Sequence, residues 1–320
     1  MKKTILIITI IVLSAGILAG GYAGYMYFSG GFDYNKAVSL MEEGKYEEAL
    51  KLFDNVKNYK DSEEKIKECQ DKILSEKYNE ALSLIDNKEY IKAHDILVSL
   101  GEYKDSKDKL SEIDRDYKDE VLKTAAVGDI VIFGEYEQDA DFTNGKEDIE
   151  WIVLDKKDGK VLLLTKYAIY NMKYYPQYQK STTWQRSEVR SWLNSTFYNS
   201  AFSSSELRKI KKTTLENKGN PYEQGKDTPT TEDYVFLLSL DDAETLFESN
   251  EARKTTATPY AEYFGAFSAK EGGCWWWLRT NGLDGRKAVN IARDGSIDTI
   301  GVGTNTEFIS VRPAMWVTVE

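Results

Sequence analysis

Histidine and cysteine, the side chains of nucleophile–base pairs and zinc sites, are scarce in this chain. Its 320 residues include one histidine, His94, and two cysteines, Cys69 and Cys274. A serine or cysteine nucleophile needs a neighbouring base. His94 lies in a helix-patterned segment outside the C-terminal two-thirds, so no such pair can be built there. One histidine and two dispersed cysteines do not make a tetrahedral zinc site either. Neither a G-x-x-x-x-G-K-[ST] phosphate loop nor a G-x-G-x-x-G fingerprint is present. Carboxylates are plentiful, with 53 Asp and Glu, so glycoside hydrolysis by two acids is a catalytic class that stays open. Asp139, Asp141, Asn144, Glu147 and Asp148 invite a calcium reading. The EF-hand spacing fails there, because glycine falls one place late at Gly145 and no glutamate stands at the twelfth position. Asn144-Gly145 reads more simply as a hairpin turn. No cofactor and no metal are expected.

Binding chemistry has better material. Cys274-Trp275-Trp276-Trp277-Leu278-Arg279 sets three adjacent tryptophans on an expected strand. Alternation puts Trp275 and Trp277 on one side and Trp276 on the other. Core packing is the ordinary use of such rings. An exposed Trp276 would instead offer a flat apolar face and an N–H to a sugar ring. Arg279 and Arg312 end apolar runs, and pairing with a carboxylate is the first expectation for each, ahead of ligand binding. The loops 281–287 (NGLDGRK) and 301–307 (GVGTNTE) are polar and glycine-rich. Ordinary turns explain them, and so does a ligand rim on a rigid base. The candidate binding residues are Trp276, Arg279, Asn281, Asp284, Arg286 and Asn305.

These residues need a scaffold, and the chain is about twice the usual single-domain length, so two folded units plus extras are expected. Hydrophobic residues at 41% and charged residues at 30% describe globular material. A net charge of −11, from 42 basic and 53 acidic side chains, argues against nucleic-acid binding, which needs a basic face. Lys2 and Lys3 precede an uncharged, largely apolar run, Thr4–Phe28, and about 20 helical residues suffice to cross a bilayer. The lysines should stay cytoplasmic, which places the rest of the chain outside. An uncleaved signal anchor over 1–32 is expected ahead of a cleaved signal peptide. No cysteine follows the run closely, so no lipoprotein anchor is expected.

Two segments align at a 44-residue offset, Tyr34–Ile73 and Tyr78–Tyr117. They share Tyr34/Tyr78, Ala37/Ala81, Leu40/Leu84, Tyr46/Tyr90 and Ala49/Ala93, then Tyr59-Lys60-Asp61-Ser62 against Tyr103-Lys104-Asp105-Ser106. The apolar spacing is helical, Gly44 should break the first helix from the second, and Asp61 and Asp105 are expected N-caps of a short third helix. The pattern A-x6-G-x-Y-x2-A-x3-F over 37–53 resembles the tetratricopeptide repeat. That resemblance implies stacked helical units over 33–124, acting as a spacer or as a shallow partner-binding groove. His94, aligned with Leu50, is expected to be structural.

Beyond about 125 the period changes to alternation, and a β-rich domain is expected over 125–320. Strands are expected at Asp129–Tyr136, Glu150–Leu154, Lys160–Thr165, Tyr234–Ser239, the tryptophan run, Ala288–Ala292 and Ile309–Val317. Helix is expected over Thr183–Asn194 and from near Asp241, Ser203 should cap a short helix, and Glu216–Asp233 reads as a polar loop. The fold class is therefore α+β: a transmembrane helix, a short helical repeat and a β-rich domain. The order VGDIVIFGEYEQD, IEWIVLD, LLLTKYAI, TWQRSEVRSWLN, CWWWLRT and VRPAMWV resembles an uncharacterised family of bacterial surface and membrane proteins. Its tail is similar to the C-type-lectin-like fold of formylglycine-generating enzymes. Those enzymes use a cysteine pair, and this region has Cys274 alone, so their activity is not implied. The calcium triplets of lectins are missing too; Asn220-Pro221 is a fragment of one. The expected function is non-catalytic: a membrane-anchored extracytoplasmic protein presenting a lectin-like domain to envelope glycan or a surface protein. A carboxylate enzyme on envelope carbohydrate, and a scaffold acting through the repeats, are the alternatives.

Overall fold

The computed structural model describes residues 30–177, 182–267 and 272–319. The expected membrane segment Thr4–Phe28 lies outside these residues, and no described helix is long and apolar enough to cross a membrane. The described chain is a mixed α+β protein of two compact units, divided between Tyr117 and Lys118.

In the first unit, helix α1 covers residues 30–42, followed by α2 (Tyr46–Asn55), α3 (Ser62–Asp86), α4 (Tyr90–Leu100) and α5 (Ser106–Thr124), whose residues from Lys118 on belong to the second unit. The 44-residue offset recurs in the packing. Ala37, Ala49, Phe53 and Cys69 form one small buried core, and Ala81, Ala93, Leu97 and Ile113 form the next. Cys69 thus holds the place of Ile113, as a small hydrophobe. Gly44 turns the chain between α1 and α2 at φ +77°, and Lys88 takes the same left-handed turn at φ +61°. Such a conformation costs a side-chain-bearing residue about 1 kcal/mol, which explains how the second copy dispenses with glycine.

The short third helix does not stand alone. α3 is one helix of 25 residues that runs from Ser62 into the first helix of the second copy. Asp61 sits at its N-cap without making a side-chain cap bond. Its carboxylate instead accepts the Tyr34 hydroxyl, and Asp105 accepts the Tyr78 hydroxyl in the same way. Lys60 lies 4.5 Å from the centre of the Tyr34 ring, and Lys104 lies 4.6 Å from that of Tyr78. The repeated Tyr-Lys-Asp-Ser run is therefore a clasp between helices. His94 stacks on Tyr117, with ring centres 3.9 Å apart.

The second unit contains β1 (Ile130–Tyr136), β2 (Glu147–Lys157), β3 (Lys160–Thr165), β4 (Tyr170–Asn171), β5 (Thr213–Asn217), β6 (Thr228–Asp233), β7 (Trp276–Asn281), β8 (Lys287–Ile291), β9 (Ile297–Gly303), β10 (Ser310–Val311) and β11 (Ala314–Thr318). One sheet runs β1-β2-β3-β11 and is antiparallel throughout. A second runs β4-β10-β7-β8-β9, with a parallel contact only between β10 and β7. A single core joins the inward faces of both sheets with Trp151, Trp184, Trp276 and Trp277.

Several expectations change here. Trp276 and Trp277 are both fully buried, because the second sheet is covered on both faces; only Trp275 is half-buried. Trp276 donates its indole N–H to the Arg253 carbonyl at 3.3 Å, and the Arg312 guanidinium lies 5.0 Å from its ring centre. It has no open face for a sugar. The polar loop 216–233 is largely the β5–β6 hairpin. Of residues 234–239, Val235–Leu238 are buried, and the run forms one isolated bridge, Phe236 to Ala314. The last expected strand breaks at Arg312-Pro313 into β10 and β11. Helix 183–194 becomes a turn of 3₁₀ helix, a short α-helix Glu188–Trp192 and a π-turn Leu193–Phe197. Ser203 caps Ser204–Leu207 in a capping box with Glu206, as the spacing implied.

Candidate functional site

The groove of the second unit is built by the β5–β6 hairpin, which folds beside the end of β7. Asn220 is the fastener. It is fully buried, and its amide donates to the Thr299 carbonyl at 2.7 Å and the Asn281 carbonyl at 3.3 Å. The hairpin connection closes on itself where Gly219 and Gly225 pass. A Cβ on Gly219 would meet the Gly225 carbonyl oxygen at 2.2 Å, so the wall admits no side chain there. Asn281 in turn donates to the Thr182 carbonyl at 2.8 Å and holds the opposite wall.

Between these walls lies a cleft of about 260 Å³, bordered by Thr182, Asn217, Lys218, Arg279, Asn281 and Asp284. It continues past Arg279 into a second lobe of about 410 Å³, where Leu215, Pro221 and the half-buried Trp316 supply apolar surface. Glu216, Lys218, Ser239, Arg279 and Thr280 border both lobes. Asp241, Asp242 and Glu244 line the second, which makes that lobe the more acidic.

Arg279 is 8% exposed and sits where the lobes meet. It donates through Nη1 to the Leu237 carbonyl at 2.9 Å and to Asp242 Oδ2 at 2.7 Å. Asp242 is itself fixed by capping the helix Leu240–Thr245 with Ser239. The expected carboxylate partner of Arg279 is therefore present, yet Nε remains buried with no hydrogen-bond partner among the described residues. Two further polar atoms bordering the first lobe share that condition, Oγ1 of Thr182 (2% exposed) and Oδ1 of Asn217 (8% exposed). A buried donor or acceptor left unpaired costs about 1–3 kcal/mol, and three of the ten such atoms among the described residues belong to side chains that border this cleft.

The sequence candidates divide. Arg279, Asn281 and Asp284 border the first lobe together. Asp284 is held by Arg286 through Nε at 3.0 Å, and this guanidinium keeps its carboxyl below the usual carboxylate range. Arg286 is a brace, and neither it nor the exposed Asn305 borders the cleft. Trp276 is in the core. Thr182, Asn217 and Trp316 were not anticipated; Asn217 lies on what reads as a polar loop, and Trp316 on what reads as core strand.

Other chemistry-bearing groups are accounted for elsewhere. Arg312 is fully buried and has no carboxylate among its described contacts; it donates to the carbonyls of Thr165, Arg253 and Lys166 at 2.8, 3.2 and 3.3 Å. Burial lowers its pKa to about 10, so it stays charged at neutral pH. Glu137, Asp139 and Glu147 bring carboxylate oxygens within 4.8 Å of one another. Asp139 already accepts from the Asp141 amide and the Asn144 side chain, and Glu147 from the Gln138 amide, while Glu137 Oε1 is buried with no hydrogen-bond partner among the described residues.

No curated protein and no solved structure matches the chain. The family described as "Domain of unknown function (DUF6273)" matches residues 158–319. The match contains both lobes of the groove, from Thr182 to Trp316, and leaves out the first unit, β1 and β2. With half of its length matched, the chain belongs to the DUF6273 family.

Proposed function

We propose that this chain is a non-catalytic binding protein and that the groove around Arg279 takes a saccharide of the cell envelope. The observation that carries the reading is the set of unpaired buried atoms on Arg279, Asn217 and Thr182. Together they offer a donor, an acceptor and a hydroxyl, which is the pattern a polyhydroxylated ring satisfies. Trp316 supplies the flat apolar neighbour that sugar rings stack on, in place of Trp276. The apolar run Thr4–Phe28 after two lysines supports a membrane anchor with the rest outside. The tryptophan-rich strand and the Val311-Arg312-Pro313 run support a C-type-lectin-like ancestry for the second unit. The Ala37-Gly44-Tyr46-Ala49-Phe53 spacing, kept as Ala81, Tyr90 and Ala93 in the second copy, supports a tetratricopeptide-like spacer for the first.

The test is retention of the full-length chain on purified envelope glycan. Retention should fall at least about tenfold in Arg279→Ala, since truncating a hydrogen-bonded buried charge costs about 2–5 kcal/mol in a complex. Circular dichroism should first establish that the variant folds. Equal retention of variant and parent would remove the groove from the account. Release of soluble sugar from the glycan, lost on changing Glu216 or Asp241, would replace binding with two-carboxylate hydrolysis.

A further inference from the structure

The groove does not end at Trp316. Beyond that ring, and sharing Thr213, Thr214 and Trp316 with the acidic lobe, lies a third hollow of about 290 Å³. Its remaining lining is Lys157, Asp158, Lys160, Lys211 and Lys212. Two separate stretches of chain deliver these lysines, and a third supplies Trp316. Lys157 and Lys160 face each other across the β2–β3 turn, in register. Lys160 is also paired with Thr318 of β11, two places beyond Trp316. Lys211 is held against the same strand by its own backbone N–H, which donates to the Trp316 carbonyl at 2.8 Å. Lys212 follows it and has an ion-pair partner, Glu232 at 3.0 Å. Lys157, Lys160 and Lys211 have none among the described residues.

In a chain of net charge −11, four lysines and one acid around a single hollow are a local reversal of sign. Unpaired like charges gathered by the fold repel one another, and a bound anion relieves that repulsion. The residue type narrows the anion. A planar carboxylate matches the fork of an arginine, and no arginine lines this hollow, whereas several mobile ammonium points suit a compact tetrahedral group with many oxygens. A membrane surface is flat and would not need a hollow closed on one side by a tryptophan.

We propose that the lysine hollow binds the phosphate of a phosphate-bearing glycan, whose sugar portion lies across Trp316 into the groove. The proposal rests on the saccharide reading of the groove, and the experiment separates the two. Inorganic pyrophosphate is titrated calorimetrically into the full-length chain at low and moderate salt, with citrate as a polycarboxylate comparison. Saturable binding of pyrophosphate that weakens with salt and exceeds that of citrate is expected. Lys160→Glu/Lys211→Glu should lose at least about tenfold in affinity, as expected when two close charges are reversed. The charge-matched control Lys67→Glu/Lys72→Glu, on the exposed side of α3, should bind as the parent does.

Absence of saturable binding overturns the proposal. So does an equal loss in both double variants, which would mean general charge attraction without a site. Citrate binding as tightly as pyrophosphate overturns the phosphate assignment. If neutral envelope glycan is retained and depends on Arg279 while pyrophosphate does not bind, the hollow fails and the groove stands. If pyrophosphate binds as described while no glycan is retained, the saccharide reading fails and the hollow remains a phosphate site without its sugar half.

Discussion

Arg279 and Arg312 look alike in sequence, each ending an apolar run, and the same carboxylate partner is expected for both. Only Arg279 has it, in Asp242 at 2.7 Å. Arg312 is held by three carbonyls, those of Thr165 and Lys166 at the end of β3 and of Arg253 at the end of the helix Asn250–Arg253. The cysteines were easier to read. Burial pushes the Cys274 thiol from an ordinary 9.0 up to about 12, since a thiolate there would lose its water. The native chain should therefore resist alkylation at Cys274 at about pH 8–9, a range in which a free cysteine is largely reactive. Mass spectrometry after a labelling pulse, with and without denaturant, checks this; rapid labelling of the folded chain would contradict the burial. The sign of the stability effect follows. The raised native pKa favours the folded state fully below 9.0, and this contribution is lost as pH climbs from 9.0 towards 12.

At the scale of elements, periodicity was a good guide wherever a segment buries one face. The alanine and aromatic stripes of the two helical copies, and the runs that became β1, β3 and β8, were legible for this reason. The β5–β6 hairpin was not. Its strands TTLEN and TPTTED bury only Leu215 and Asn217 on one side and Thr231 and Asp233 on the other, so three of the four buried residues are polar. A hydrophobic pattern cannot announce such a hairpin, and with it went half of the groove wall. The Tyr-Lys-Asp-Ser repeat shows a subtler loss. The sequence marks it as important, but reads Asp61 and Asp105 as caps, whereas both serve as acceptors for tyrosines 27 residues away. These hydroxyl bonds hold both carboxyls below their ordinary pKa of 3.8. Depressed values mean that the clasp contributes above 3.8 and is lost as pH falls through the native values. Acid titration followed by helical circular dichroism should show loss of helix setting in at a higher pH in Tyr34→Phe/Tyr78→Phe than in the parent. Identical acid transitions would mean that the clasps contribute nothing.

At the scale of the molecule, the helical and β-rich units carry separate cores. Phe53 is fully buried among Ala37, Ala49 and Cys69, and none of them borders the groove. Phe53→Ala should therefore cost the helical unit about 3–5 kcal/mol while glycan retention by the folded chain stays at the parental level. Thermal melting followed by helical signal, alongside the retention assay, tests both halves of this statement. Loss of retention at a temperature where the variant is still folded would link the first unit to binding. By itself the sequence determined the α+β class, the internal self-similarity and the scarcity of histidine and cysteine, and it named Arg279, Asn281 and Asp284, which border the groove. These are local properties of composition, period and turn chemistry, and they survive whatever the chain does at long range. The tertiary structure alone decided that Trp276 is sealed and Trp316 half-open, that Asn217 and Thr182 border one cleft with Arg279, and that four lysines from distant stretches share one hollow. Each of those facts is a contact between segments far apart in sequence, and burial or exposure at such a contact is set by what packs against a residue rather than by the residue itself.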